Sequence, residues 1–369
     1  MMEQSNCGTF REGSSLNPCG IPWKKTCHAV AISSDDTFMV SCSNGWCVLS
    51  LPDLEVQHRF RERFTTPSHC FITPDDRRLV GGIGQPNFEI RIFHLETGQT
   101  LQIINLRSYS LHMLRHGVFV NQYKMSMYDS TGKTKIFQLI DSGSGRVVEE
   151  LCHGDRVLSY AVSPDERRLI AGCNDSDVDL WNLKSFSHVT TMKGHAKPVQ
   201  SVAFSPDGTL IASGANGGEV IIWDAESKSL MCSLKEAHES DIAQVVFSPD
   251  NRFLVSCADD DLYVQVWNAK SGKHMMKYNT YAKTRSVIMS KKCNSAVITL
   301  EDGRVLFLKF SSSFSPASPG TAAGQSGQLL TMTHTSADGS KSTTSALQER
   351  NRQPPSPNKT QKSKTCQML

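Results

Sequence analysis

The residues best suited to chemistry are twelve cysteines, but their spacing does not form a metal site. Cysteine ligands of zinc usually come in pairs separated by two residues, so that both thiolates reach one ion. No two cysteines in this chain have that spacing. Most of them, including Cys42, Cys173 and Cys257, lie in apolar segments, where a thiol behaves as a small buried side chain. We therefore expect no metal site.

A second chemical motif, Thr131-Gly132-Lys133-Thr134, resembles the end of a phosphate-binding loop. Such a loop requires a further glycine at position 127, where this chain has Met127. The segment also precedes a predicted strand, so it has no helix N-terminus that could bind an anion. We expect no nucleotide and no other cofactor.

The charge lies mainly in the C-terminal segment. From Ser311 onward the chain has six basic and two acidic side chains, a net charge of +4, and the preceding residues carry −1. A nucleic-acid-binding domain needs a basic face toward the phosphates. The nearly neutral body predicts that nucleic acid is not a partner.

The sequence contains an internal repeat, and the fold that this repeat forms must position any functional site. Three segments share an apolar strand that ends in Ser-Pro-Asp: Val157–Asp165, Val199–Asp207 and Ile242–Asp250. Each is followed by two further short strands, and the second of these contains a tryptophan. Equivalent positions recur every 41–44 residues, at Leu49, Phe93, Phe137, Trp181, Trp223, Trp267 and Leu308. Seven units of this period, each with four short strands, predict an all-β fold, a β-propeller of seven blades.

The segment from Lys193-Gly194-His195 to Trp223-Asp224 resembles the WD40-repeat family, and the resemblance covers residues 21–310. Units one, two, three and seven lack the tryptophan, and the first strand of unit three must lie within His112–Tyr128. The resemblance implies a propeller over residues 21–310, after a flexible extension over residues 1–20. Residues 311–369 are rich in Ser, Thr, Gly and Pro, which predicts a disordered tail.

In the WD40 family a His–Ser/Thr–Asp–Trp hydrogen-bond chain braces each blade. By alignment, unit six has the whole chain, unit five has Gly217 at the aspartate position, and unit four has Ala171 at the serine position. The residues carried over are His238, Ser256, Asp261 and Trp267; His195, Ser213 and Trp223; and His153, Asp175 and Trp181. Buried imidazole and indole groups need hydrogen-bond partners, so we interpret these sets as structural and not as hydrolase triads.

Partner contacts in this family come from loops on one face of the ring. The positions carried over are Arg156, Asn174, Lys197, Asn216, Asp241 and Asp260. They predict a non-catalytic scaffold that binds proteins. The alternatives are a sensor domain of a larger NTPase, an enzyme with an axial site, and a ubiquitin-ligase substrate receptor. The last is disfavoured because Ala225-Glu226 follows Trp223-Asp224, where such receptors often have arginine two residues on.

Closure of the ring is open at this stage. The seventh unit ends at Phe310 without an outer strand, and an unpaired edge must be protected. One candidate is Ser14–Thr26, which Pro18 and Pro22 make a poor strand. The other is Gln328–Thr333 in the tail.

The chain ends in Cys366-Gln367-Met368-Leu369, a pattern that predicts geranylgeranylation of Cys366. One lipid binds membranes only marginally, and Lys359, Lys362 and Lys364 supply a second, electrostatic attraction. The N-terminus has no secretory signal, and no apolar run is long enough to span a membrane. We expect a cytoplasmic protein with free thiols that associates with membranes through its tail.

Overall fold

The computed structural model describes most of the chain between residues 29 and 346. The described ranges are 29–42, 45–51, 55–60, 67–73, 75–83, 89–105, 119–120, 123–130, 134–141, 147–153, 155–235, 237–290, 295–302, 304–309, 311–314, 328–335 and 341–346. Every regular element within these ranges is a β-strand. The described residues contain no helix long and apolar enough to span a membrane.

Six antiparallel sheets of four strands follow one another along the chain. Blade 1 contains β1 (Ala29–Ile32), β2 (Phe38–Cys42), β3 (Trp46–Ser50) and β4 (Val56–Phe60). Blade 2 contains β5 (Pro67–Ile72), β6 (Arg78–Ile83), β7 (Glu89–His94) and β8 (Thr100–Asn105). Blade 3 contains β9 (Phe119–Val120), β10 (Tyr123–Ser130), β11 (Thr134–Asp141) and β12 (Val147–His153). The first strand of blade 3 lies within the predicted interval.

The three blades with a tryptophan at the repeat position, Trp181, Trp223 and Trp267, come next, followed by blade 7. Blade 4 contains β13 (Val157–Val162), β14 (Arg168–Cys173), β15 (Val178–Asn182) and β16 (Ser187–Met192). Blade 5 contains β17 (Val199–Phe204), β18 (Leu210–Ala215), β19 (Val220–Asp224) and β20 (Leu230–Leu234). Blade 6 contains β21 (Ile242–Phe247), β22 (Phe253–Ala258), β23 (Tyr263–Asn268) and β24 (His274–Asn279). Blade 7 begins with a three-stranded sheet of β25 (Thr284–Ser290), β26 (Ser295–Leu300) and β27 (Val305–Lys309).

The Ser-x-Asp motif forms the turn between the first two strands of a blade. In blade 5 the Ser205 hydroxyl donates to Asp207, and the Leu210 N–H donates back to the Ser205 oxygen at 2.9 Å. The turn needs a left-handed residue next, and Gly208 has a φ of +70°. Because side chain and backbone are satisfied within the turn, this short motif ends one strand and starts the next.

The first strand of each blade, which we call its inner strand, can be joined to that of the next blade by a hydrogen bond. Ser159 Oγ accepts the N–H of Val202 at 3.2 Å, and Ser201 Oγ accepts that of Val245 at 3.0 Å. Gln244 Oε1 has the same role toward Val287, at 2.8 Å. The bond therefore recurs at each of the three junctions between blade 4 and blade 7.

Blades 7 and 1 also meet, so the last blade of the repeat packs beside the first. The Ser290 hydroxyl of blade 7 donates to the Asp36 carboxylate of blade 1 at 2.7 Å. Ile288 packs against a buried cluster of blade 1 that includes Val30, Met39 and Leu49. The hydrophobic core lies between neighbouring blades, as in the cluster that joins Ile170 and Leu180 of blade 4 to Val202 and Trp223 of blade 5. The predicted all-β propeller is confirmed.

Three strands follow β27 within the predicted tail: β28 (Ser311–Phe314), β29 (Gln328–Thr335) and β30 (Lys341–Ala346). One residue separates the end of β27 from the start of β28. Antiparallel β29 pairs with β28, with Ser311 opposite Thr331, and extends until its Cα atoms lie within 8 Å of β27. The candidate outer strand Gln328–Thr333 is thus a strand, and it lies beside blade 7.

The other predictions for the two ends of the chain fall outside the described residues. These are the flexible extension over residues 1–20, the rival outer strand Ser14–Thr26, and the tail beyond Ala346. Disorder of the tail stays a prediction for the parts that the three strands do not include.

Candidate functional site

Blade 6 contains a directional chain of buried hydrogen bonds. Asp261 Oδ2 lies 2.6 Å from His238 Nδ1, and His238 Nε2 lies 2.8 Å from Ser256 Oγ. Ser256 Oγ accepts the indole N–H of Trp267 at 2.9 Å. Burial lowers the pKa of His238, although the Asp261 carboxylate opposes that shift. The imidazole is therefore neutral: Nδ1–H donates to Asp261, and Nε2 accepts the hydroxyl proton of Ser256.

The same atoms form the triad of a serine hydrolase, but their burial excludes that chemistry here. Ser256 has no exposed surface, and neither does the side chain of His238. The hydroxyl oxygen already accepts from Trp267, and a nucleophile must reach its substrate. The chain is therefore a structural brace that joins the loop before blade 6 to its second and third strands.

Blade 5 has a brace with a different carboxylate. His195 Nε2 lies 2.7 Å from Ser213 Oγ, which accepts the indole N–H of Trp223 at 2.8 Å. Glu219 Oε2 lies 3.0 Å from His195 Nδ1. Glu219 therefore has the role of the family's aspartate, whose position Gly217 occupies in this blade. The alignment missed Glu219 because it lies two residues after Gly217, the expected position. From there the longer side chain of glutamate reaches His195.

The predicted set of blade 4 is arranged differently. Asp175 is exposed, and its carboxylate accepts the backbone N–H of Asp177 at 3.2 Å, so it stabilises a turn. The buried carboxylate of this blade is Asp179, which accepts the Thr191 hydroxyl and lies 3.2 Å from His188 Nε2. The Trp181 ring packs edge-on against His188, with centroids 5.1 Å apart. The side chain of His153 lies outside the described residues.

In blades 4 to 7, two loops of the same blade lie side by side at one end of the ring, which we call the top face. One loop precedes the first strand, and the other joins the second and third strands. The Asn174 N–H donates to the Arg156 carbonyl at 2.8 Å, and the Asn216 N–H donates to the Pro198 carbonyl at 2.9 Å. Asp259 and Asp241 form the corresponding bond in blade 6, at 2.9 Å. The repeat thus brings the loops that carry the predicted contact residues to the same end.

Most of the predicted contact residues reach solvent. Arg156, Asn174, Lys197, Asp241 and Asp260 are exposed, and Asn216 is half-buried. Some also join neighbouring blades: Asp241 Oδ1 accepts the Gly217 N–H of blade 5 at 2.7 Å. Asp260 lies 2.6 Å from the ammonium of Lys283 in blade 7. Lys283 is a top-face residue that sequence reasoning missed, although it occupies in blade 7 the position of Asp241 in blade 6.

A β-bulge near the top of the inner strand was also missed. One extra residue follows Pro67, Val157, Val199, Ile242 and Thr284, in five of the seven blades. A bulge turns the next side chain away from the regular alternation. The bulges lie at the start of the first strands, next to the top-face loops. In the sequence, only the recurrence of one extra residue at the same position of the repeat could have indicated them.

Within the described part of the chain, no group of three or more His, Cys, Asp or Glu side chains could hold a metal ion. The cysteines whose side chains are described there form no disulfide; they are Cys42, Cys47, Cys70, Cys173, Cys232 and Cys257. Burial raises the pKa of Cys173 far above its ordinary value, and nearby aspartates add to this shift. Cys173 is therefore a protonated core side chain.

Comparison with known proteins identifies the family. No curated protein matches the chain. The family model described as the nucleolar protein 10-like N-terminal domain, a β-propeller, matches residues 109–308, which is more than half of the chain. The matched region begins before blade 3 and ends within β27 of blade 7. The chain therefore belongs to the family of the nucleolar protein 10-like N-terminal β-propeller domain.

Proposed function

We propose that this chain is a non-catalytic scaffold that binds protein partners through its top face. The observation that carries the proposal is the convergence of polar loops from consecutive blades on one end of a braced ring. The family supports the coarser statement, because a β-propeller domain is suited to protein interaction. The burial of both His–Ser chains supports a role without catalysis.

The charges of the top face favour a protein over a nucleic acid. The face carries charges of both signs: Arg156 and Lys197 lie in blades 4 and 5, and Asp241 and Asp260 lie in blade 6. Asp260 also pairs with Lys283. A phosphate backbone requires a continuous basic surface, whereas protein interfaces combine charges of both signs. The top face therefore suits a polypeptide.

The test is proximity labelling in cells with the full chain and a double variant, Arg156→Ala/Asp241→Ala. The control is Lys184→Ala/Glu226→Ala, which also removes one cation and one anion, in exposed turns at the opposite end of the ring. We expect the top-face variant to lose partners that the control retains, with unchanged melting temperatures. Equal partner lists for wild type and both variants contradict the proposal.

A membrane tether through prenylated Cys366, supported by Lys359, Lys362 and Lys364, is the finer part of this proposal. It requires that Leu369 is the last residue of the protein, and these residues lie outside the described part. It predicts a cytoplasmic, membrane-associated protein, whereas the family description points to the nucleolus. Mass spectrometry of the C-terminal peptide and the cellular location of Cys366→Ser distinguish the membrane-associated protein from a nucleolar one. An unmodified Cys366, or a variant located as wild type is, contradicts the tether.

A sensor role in a larger NTPase, the alternative function, stays a prediction.

A further inference from the structure

Two large apolar side chains are exposed on the top face where blade 6 meets blade 7. Tyr281 lies in the loop from β24 to β25 and is 76% exposed. Leu262 lies in the neighbouring loop of blade 6 and is 46% exposed. The Thr280 N–H donates to the Leu262 carbonyl at 2.7 Å, so the two loops are in direct contact. Tyr281 therefore presents most of its surface to solvent at this junction, where a partner could contact it.

The backbone presents this tyrosine from a fixed turn. Tyr281 has a φ of +56°, in the left-handed region that a bulky residue seldom adopts. Its N–H donates to Asn279 Oδ1 at 2.8 Å, and the Thr280 hydroxyl donates to the Ala282 carbonyl at 2.7 Å. The Arg304 guanidinium donates to the Thr280 carbonyl at 3.3 Å. Strain maintained by surrounding bonds is typical of functional positions, and a tyrosine loses little entropy when it binds.

Ion pairs surround the two side chains and define the partner chemistry. Lys283 pairs with Asp260 at 2.6 Å, Arg304 pairs with Asp302 at 2.7 Å, and Arg285 pairs with Glu301. These six charges cancel, and exposed Asp259 adds one negative charge. A phosphate-bearing or anionic partner therefore finds no excess of positive charge in this sector. The recognition that remains is apolar contact inside a polar rim, as at the centre of protein interfaces.

We propose that Tyr281 and Leu262 anchor a partner peptide that packs an aliphatic or aromatic side chain against them. The peptide carries no net negative charge beside that side chain. This inference rests on the proposed scaffold function and assigns the contact to the sector between blades 6 and 7.

The experiment selects peptides from a random twelve-residue display library on the full wild-type chain and measures their Kd by fluorescence polarisation. Tyr281→Asn removes the ring and retains a residue that tolerates the left-handed backbone. We expect this variant and Leu262→Ser to weaken binding at least tenfold, and Tyr281→Phe to stay within threefold. The matched controls are Val189→Ser and Leu101→Ser, each 47% exposed on an outer strand, and both should bind as wild type does.

Salt provides a second readout. We expect the Kd to change less than threefold between 50 and 500 mM salt, because the recognition is apolar. A tenfold salt effect, selected peptides without a shared apolar residue, or a Tyr281→Asn Kd within twofold of wild type overturns the inference.

The Arg156→Ala/Asp241→Ala variant separates this inference from the broader proposal. If it weakens the selected peptides while Tyr281→Asn does not, the scaffold function stands and the inference is wrong. If neither variant weakens them, or if no peptide is enriched, both proposals fail.

Discussion

The Ser256→Ala substitution tests the bracing chain most directly. The Ser256 hydroxyl is fully buried, receives the Trp267 N–H at 2.9 Å and lies 2.8 Å from His238 Nε2. Alanine removes both hydrogen bonds and leaves an indole donor and an imidazole acceptor buried without a partner. Each orphaned group costs about 1–3 kcal/mol, so for the two groups we expect the free energy of unfolding to fall by about 2–6 kcal/mol.

Urea denaturation followed by far-ultraviolet circular dichroism measures this change. Ser213→Ala removes the corresponding hydroxyl of blade 5 and should have a similar effect, since its distances to His195 and Trp223 are 2.7 and 2.8 Å. Ser187→Ala, at an exposed serine, is the control and should stay within about 0.5 kcal/mol of wild type. If Ser256→Ala is as mild as the control, the chain does not brace the blade.

Three further predictions concern acidity, a glycine and the tail. Burial lowers the pKa of His195 and His238, so stability should be complete above the unfolded pKa of about 6.5 and decrease below it. Denaturation midpoints that are equal at pH 7.5 and 5.5 would contradict this. Gly218→Ala should destabilise by at least about 2 kcal/mol in urea denaturation, because φ is +83° and a Cβ would lie 1.9 Å from the His238 carbonyl oxygen. Truncation after Phe310 should lower the melting temperature, whereas truncation after Ala346 should not, and equal values would mean that another segment protects blade 7.

The repeat was readable because each blade satisfies its own local requirements. Ser-x-Asp closes a turn through contacts within five residues, as Ser205 does with Asp207 and Leu210. The aromatic position recurs every 41–44 residues because each unit must fill the same space against its neighbour. Strands, turns and blade number therefore followed from short-range chemistry and period, and the structure confirms the propeller.

What alignment missed depends on the reach of individual side chains. Glu219 completes the brace of blade 5 from a position two residues away from the expected one, because its longer chain spans the difference. Asp175 has the expected position in blade 4 but points to solvent. A position in a repeat predicts where the backbone lies, and only packing decides which carboxylate meets a histidine.

The pattern of residues alone predicts an all-β chain of seven repeated units, because strand alternation, turn motifs and period are local properties. It left open which segment protects blade 7, because Ser14–Thr26 and Gln328–Thr333 are both distant along the chain. The tertiary structure pairs β29 with β28 and places it beside β27. It also decided that Tyr281 is exposed, since the exposure of a side chain depends on neighbours from other blades and not on its own segment.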